Sequence, residues 1–186
     1  EDVKRHRELV RKKRERGHMA VAAIVGYTNA GKSTLLNRMT GAGVLAEDKL
    51  FATLDPTTRA LSLPDGETVL LTDTVGFIRK LPHHLVEAFK STLEEARYAD
   101  IILHVVDVSN PAMDIQMETV YETLHSLGVM GKTVITLFNK ADRLCELPVL
   151  RDYKADQTLF ISAKTGAGLS ELSEILTGIL RERNLY

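Results

Sequence analysis

The stretch Gly26-Tyr27-Thr28-Asn29-Ala30-Gly31-Lys32-Ser33 has residue types and spacing suited to the capture of phosphate. Gly26 and Gly31 let the backbone wrap closely around an anion with its N–H groups turned inward. Lys32 places a point charge on β and γ phosphates, and a helix beginning there adds its dipole. The Ser33 hydroxyl suits Mg2+. Thr34 completes the residues of this first segment expected to touch the ligand. A second group, Asp73-Thr74-Val75-Gly76, supplies a carboxylate that can hold Mg2+ through a water and a glycine N–H that can reach a terminal phosphate. By itself that tetrapeptide is common at strand ends. Its weight comes from following a strand expected beside the phosphate loop.

Asn139-Lys140-Ala141-Asp142 suits a purine. Guanine shows an N1–H and a 2-amino group side by side, and the Asp142 carboxylate can accept both. Adenine has neither donor and would leave that carboxylate unpaired. Asn139 can bridge the base and tie back to the phosphate loop, while the Lys140 stem lies over the ring. Ser162-Ala163-Lys164 can give a backbone N–H to the guanine carbonyl. Read together, these groups imply a site for GTP or GDP with Mg2+.

Such residues need a frame that brings four separated segments to one edge. Ala20–Val25 is a short, nearly all-apolar run, the mark of a strand buried on both faces. A helix is expected over Lys32–Thr40 and a loop over Gly41–Pro56. Thr58–Leu63 and Thr68–Thr72 flank the turn signal Pro64-Asp65-Gly66 and read as an antiparallel hairpin. His83–Ala96 has helical spacing. Ile101–Val106 and Val134–Phe138 read as buried strands around a helix at Met113–Leu127, with a last strand at Leu159–Ser162 and a closing helix at Leu169–Arg183. The alternation predicts an α/β fold, and the strand, phosphate loop and helix at its start make that the P-loop NTPase kind. It has three layers, a mostly parallel six-stranded sheet with one antiparallel strand, and helices on both faces.

The 186 residues suffice for one domain and an appendage, and the 44% hydrophobic content with 5% aromatics suits an aliphatic core. A net charge of −1 gives no global pull toward nucleic acid or membrane. One cysteine, Cys145, fits a reducing, cytoplasmic setting, and no run approaches the roughly 20 apolar residues of a membrane span. Residues 1–17 differ from the rest: Lys4, Arg5, Arg7, Arg11, Lys12, Lys13, Arg14 and Arg16 face only four acids. This segment reads as a basic helix ending at Gly17, either an RNA-facing surface or a solvated linker from an upstream domain. Residues 18–186 form the nucleotide domain. A chain that begins with Glu is expected to be part of a longer protein.

The sequence resembles the translation-factor-related P-loop GTPases, and among them the HflX family. The resemblance runs over about residues 19–183. It rests on Gly26–Ser33, on Phe51-Ala52-Thr53-Leu54-Asp55-Pro56-Thr57-Thr58-Arg59, and on Asp73-Thr74-Val75-Gly76-Phe77-Ile78-Arg79-Lys80-Leu81-Pro82. It implies that Phe51, Ala52, Thr53, Leu54 and Asp55 line the nucleotide and that Thr53 closes over Mg2+ and the γ-phosphate. The residues alone leave Thr53, Thr57 and Thr58 as alternatives. It also implies the large ribosomal subunit as partner, in splitting or rescue of ribosomes. A GTP-dependent binding module with incidental hydrolysis, or a ribosome-assembly or tRNA-modification GTPase of a sister family, are the competing functions.

Lys32, Thr53, Gly76 and Asn29 are the residues expected to serve hydrolysis. Phe77 stands where Ras-like proteins carry a water-orienting glutamine, so the isolated domain should be slow. A partner's arginine finger contributes roughly 10³–10⁵ in rate, about 4–7 kcal/mol. Related GTPases with Asn at the Asn29 position hold K+ against the phosphates, which makes K+ a candidate substitute; the plain alternative is a hydrogen bond within the loop. Arg59 and Arg79 read as surface contacts, His83 and His84 as exposed helix-start residues, His104 as a hydrogen-bonded core residue, and Cys145 as an incidental loop thiol.

Overall fold

The computed structural model describes residues 19–41, 57–74, 76, 96–129 and 131–184. The basic segment 1–17, the loop beyond residue 41 as far as 56, residues 77–84, and the expected helix as far as residue 95 lie outside them.

Six strands form one sheet: β1 (Val21–Gly26), β2 (Thr57–Ser62), β3 (Thr68–Asp73), β4 (Ile101–Asp107), β5 (Thr133–Asn139) and β6 (Gln157–Phe160). Their spatial order is β2-β3-β1-β4-β5-β6. All neighbours pair in parallel except β2, which runs antiparallel to β3. The β2–β3 turn closes at Gly66, whose φ of 88° is open to glycine at little cost. Leu63 N–H donates to the Glu67 carbonyl at 2.8 Å across it.

Strand alternation sorts the core into two layers. Ala22 and Ile24 face one side with Leu71, Leu103 and Leu137. There they meet Leu35 and Leu36 of α1 (Lys32–Thr40) and Leu172, Leu176 and Leu180 of α3 (Leu169–Asn184). Val21, Ala23 and Val25 face the other side, against Val120 and Leu124 of α2 (Met113–Ser126). Each large aliphatic side chain so buried contributes about 1.5–3 kcal/mol. The expected three-layer fold is therefore the one observed.

Two differences matter. β6 ends at Phe160 rather than Ser162, because Ile161 N–H still pairs with Phe138 O while Ser162 N–H turns away to Ala167 O at 3.0 Å. The β5–β6 connection contains only the 3-10 turn Ala141–Arg143 and is otherwise irregular. It is pinned by Asp152, which accepts hydrogen bonds from Tyr121 Oη at 2.5 Å and Thr136 Oγ1 at 2.7 Å. Among the described residues no helix is long and apolar enough to cross a membrane.

Candidate nucleotide-binding site

The C-terminal ends of β1, β3, β5 and β6 lie along one edge of the sheet, where open α/β folds bind ligands. Gly26 closes β1 so near β4 that a Cβ would run into the Val105 carbonyl. Gly31 holds φ 101° as the residue before α1, and a Cβ there would collide with the Asn139 amide. Asn29 also sits in the left-handed region, at φ 61°, where Asn is among the few tolerated side chains. These three positions shape the loop; Tyr27, Thr28 and Ala30 fill it, Thr28 half-buried and Ala30 buried.

Lys32 is 7% exposed, with Nζ donating to the Tyr27 carbonyl at 3.1 Å. Burial pulls its pKa down to about 8, against the attraction of Asp73. A buried ammonium of this kind gains from an anion. Ser33 Oγ donates to Asp73 Oδ2 at 2.7 Å, which places one hydroxyl and one carboxylate 1% exposed at the foot of the loop. Thr34 is half-buried one residue farther along α1. The oxygen pair of Ser33 and Asp73 suits a hard cation such as Mg2+, which completes its shell with water and phosphate oxygens. Thr74 is buried and spends its hydroxyl on Ile24 O at 2.7 Å, anchoring the chain as it leaves β3. Gly76 is buried against the loop: a Cβ would press on Thr28 Cα at 2.8 Å and stand 3.1 Å from Lys32 Nζ. Phe51, Ala52, Thr53, Leu54, Asp55 and Val75 lie outside the described residues, as do Phe77, Arg79, His83 and His84.

Asn139 joins the two halves. It is 2% exposed; Nδ2 donates to Ala30 O at 2.8 Å, and Oδ1 accepts from Ala163 N–H at 2.9 Å. The tie to the phosphate loop expected from sequence is in place, and it commits the Ala163 amide as well. Asp142 is exposed, and its Oδ1 accepts from Ser162 Oγ at 2.6 Å, which sets the carboxylate's orientation. Lys164 follows, exposed. Arg38 of α1 donates to Thr165 O at 3.0 Å and ties the same loop from below.

A sequence profile described as 50S ribosome-binding GTPase matches residues 21–140. GTPase HflX of Lacrimispora saccharolytica is 68% identical over 186 residues, covering 100% of this chain and 44% of that protein. The chain belongs to the 50S ribosome-binding GTPases, on their HflX branch. GTPase HflX of Caldanaerobacter subterraneus subsp. tengcongensis is 53% identical over 186 residues, covering 100% of this chain and 41% of that protein. The chain thus spans less than half the length of these HflX relatives. Among solved structures, a GTP-binding protein from Sulfolobus solfataricus in complex with GDP matches with a TM-score of 0.72 and 26% identity. That match covers 96% of this chain and 58% of the other.

Beside the HflX motifs stand groups the sequence did not single out. Asp107 ends β4 in register with Asn139, and Lys140 Nζ lies 2.8 Å from its Oδ2. The same ammonium donates to Asn29 O at 2.8 Å. The only signal in the sequence was an acid at the end of a buried strand, the position class of Asp73. Of the remaining residues, Arg59 is exposed on β2 and Thr58 Oγ1 lies 2.9 Å from Thr72 Oγ1 across the hairpin. His104 is 1% exposed and packs edge-on against Tyr121, with Nδ1 lacking a hydrogen-bond partner among the described residues. Cys145 is exposed and free.

Proposed function

We propose that the chain is a GTP-binding and GTP-hydrolysing switch domain that works with Mg2+ and acts on the large ribosomal subunit. The observation that carries this reading is Asn139, whose one buried amide fixes the phosphate loop and the base loop in register. Loops held in register this way suit a single ligand whose phosphates meet one and whose base meets the other. Asp142, oriented by Ser162, supports guanine as that base, and the HflX relatives support both the nucleotide and the hydrolysis.

Lys32, the loop amides of residues 26–33 and the Gly76 N–H would bind and orient the β and γ phosphates. Ser33, Asp73 and, by resemblance, Thr53 would hold Mg2+, which would neutralise charge on the phosphate oxygens. Phe77 has no group to orient the attacking water, so the domain alone turns over slowly. We place K+ at Asn29 as the substitute charge, alongside the plainer role that its left-handed backbone already gives this residue. The basic segment 1–17 fits a linker that meets ribosomal RNA.

Phosphate release from GTP, measured in KCl and in NaCl with and without large ribosomal subunits, tests each part. The expected result is slow basal turnover, faster in KCl and faster again with subunits. Equal rates in the two salts would remove K+ from the scheme. No response to subunits would favour a GTP-dependent binding module or another partner.

A further inference from the structure

We infer that Asp107 is a positioning residue for nucleotide binding: with Ser109 it holds Lys140 across the top of the sheet and so locks the base loop to the phosphate loop. The inference deepens the reading of this edge as a guanine-nucleotide site and rests on it.

Lys140 follows Asn139 at the end of β5 with φ 65°, a conformation most side chains avoid. Something must hold it there. Its ammonium has two acceptors from two other segments, Asp107 Oδ2 at 2.8 Å and Asn29 O at 2.8 Å. The Lys140 and Asp107 side chains are 16% and 11% exposed, so solvent screens the pair far less than a surface pair. Asp107 is itself fixed. Its Oδ1 accepts from Ser109 Oγ at 2.6 Å and from Ser109 N–H at 3.0 Å, leaving Oδ2 aimed at the lysine. Burial alone would raise the Asp107 carboxyl, but hydrogen bonds from Lys140 and Ser109 outweigh it and hold it below the usual range. The carboxylate is thus charged at neutral pH.

The placement in the fold explains the consequence. Asp107 and Asn139 are register partners on β4 and β5, so two neighbouring strand ends carry the two ties. Asn139 reaches Ala30 by its amide; Lys140 reaches Asn29 by its ammonium. Consecutive residues of the base motif therefore grip consecutive residues of the phosphate loop, the first steadied by the Ala163 N–H and the second by Asp107 at the end of β4. Without Asp107 the long lysine stem regains rotamer freedom that the ligand must then remove on binding. The loss should fall mainly on the dissociation rate.

The test is a double-mutant cycle on GDP release from the full chain, followed with a fluorescent GDP analogue chased by excess GDP. Asp107→Asn should speed release roughly tenfold, within the usual coupling of contacting charged pairs. Lys140→Met should speed it at least as much. In the Lys140→Met background, Asp107→Asn should add less than twofold. Ser109→Ala, which removes one hydroxyl from the carboxylate, should give a smaller acceleration in the same direction and serves as the probe if Asp107→Asn does not fold. Unchanged release in Asp107→Asn, or single effects that multiply in the double variant, would overturn the role through Lys140, since a merely structural Asp107 would act regardless of the lysine. Failure of the unsubstituted chain to bind GDP at all would instead overturn the site reading itself.

Discussion

Replacing Asn139 with Ala removes two hydrogen bonds that join separate loops. Ala30 and Ala163, whose backbone groups it satisfies, are each 2% exposed, so bulk water does not readily take its place. A buried donor or acceptor left unsatisfied costs about 1–3 kcal/mol, which puts the pair near 4 kcal/mol. Domains of this kind hold about 5–15 kcal/mol in all, so the variant should still fold. With a urea slope of about 2 kcal/mol/M, the unfolding midpoint should fall by about 2 M. GDP affinity should drop at least about tenfold, because the ligand must then impose the register that Asn139 supplies beforehand. Urea titration followed by circular dichroism, with GDP binding measured by calorimetry on the same samples, gives both values. A midpoint moved by less than about 0.3 M together with unchanged GDP affinity would refute the claim that this amide couples the loops.

Gly31→Ala should abolish GDP binding in calorimetry and lower the melting temperature by several degrees, since a Cβ at φ 101° also strikes the Asn139 amide. His104 provides a pH-dependent signature: burial, with a further push from Lys32 and against the pull of Asp152, drives it down to about 4 from an ordinary 6.5. Between those values the unfolded chain binds more protons than the folded one, so stability present above pH 6.5 is lost as pH falls toward 4, by up to about 3 kcal/mol from this group. Denaturant midpoints across pH 4–7 should therefore flatten in His104→Leu relative to the unsubstituted chain; equal slopes would show that this histidine does not titrate there.

Much of the site was legible because its key residues are contiguous. Gly26, Gly31, Lys32 and Ser33 are set by one loop, and Asp73 and Asn139 each follow an apolar run whose strand character is plain. The rest depends on partners far apart in sequence. Asp107-Val-Ser reads as an ordinary turn until Lys140 arrives from the next strand, and Asp152 reads as a loop acid until Tyr121 and Thr136 close on it. β6 was displaced because Ile161 and Ser162 are buried like strand residues yet serve the base loop. Thr74 stands in a ligand-binding motif, but its hydroxyl is taken by Ile24, which only three-dimensional neighbours reveal.

Guanine recognition by Asp142 is tested most directly by exchanging its carboxylate for an amide. In Asp142→Asn, calorimetry should show GDP affinity falling by two orders of magnitude or more, about 3 kcal/mol for charged hydrogen bonds lost at a base. Xanthosine diphosphate, which offers an acceptor where guanine carries its 2-amino group, should bind the variant better than GDP does. Unchanged GDP affinity, with no gain for the xanthosine nucleotide, would contradict the assignment of this edge as a guanine-nucleotide site.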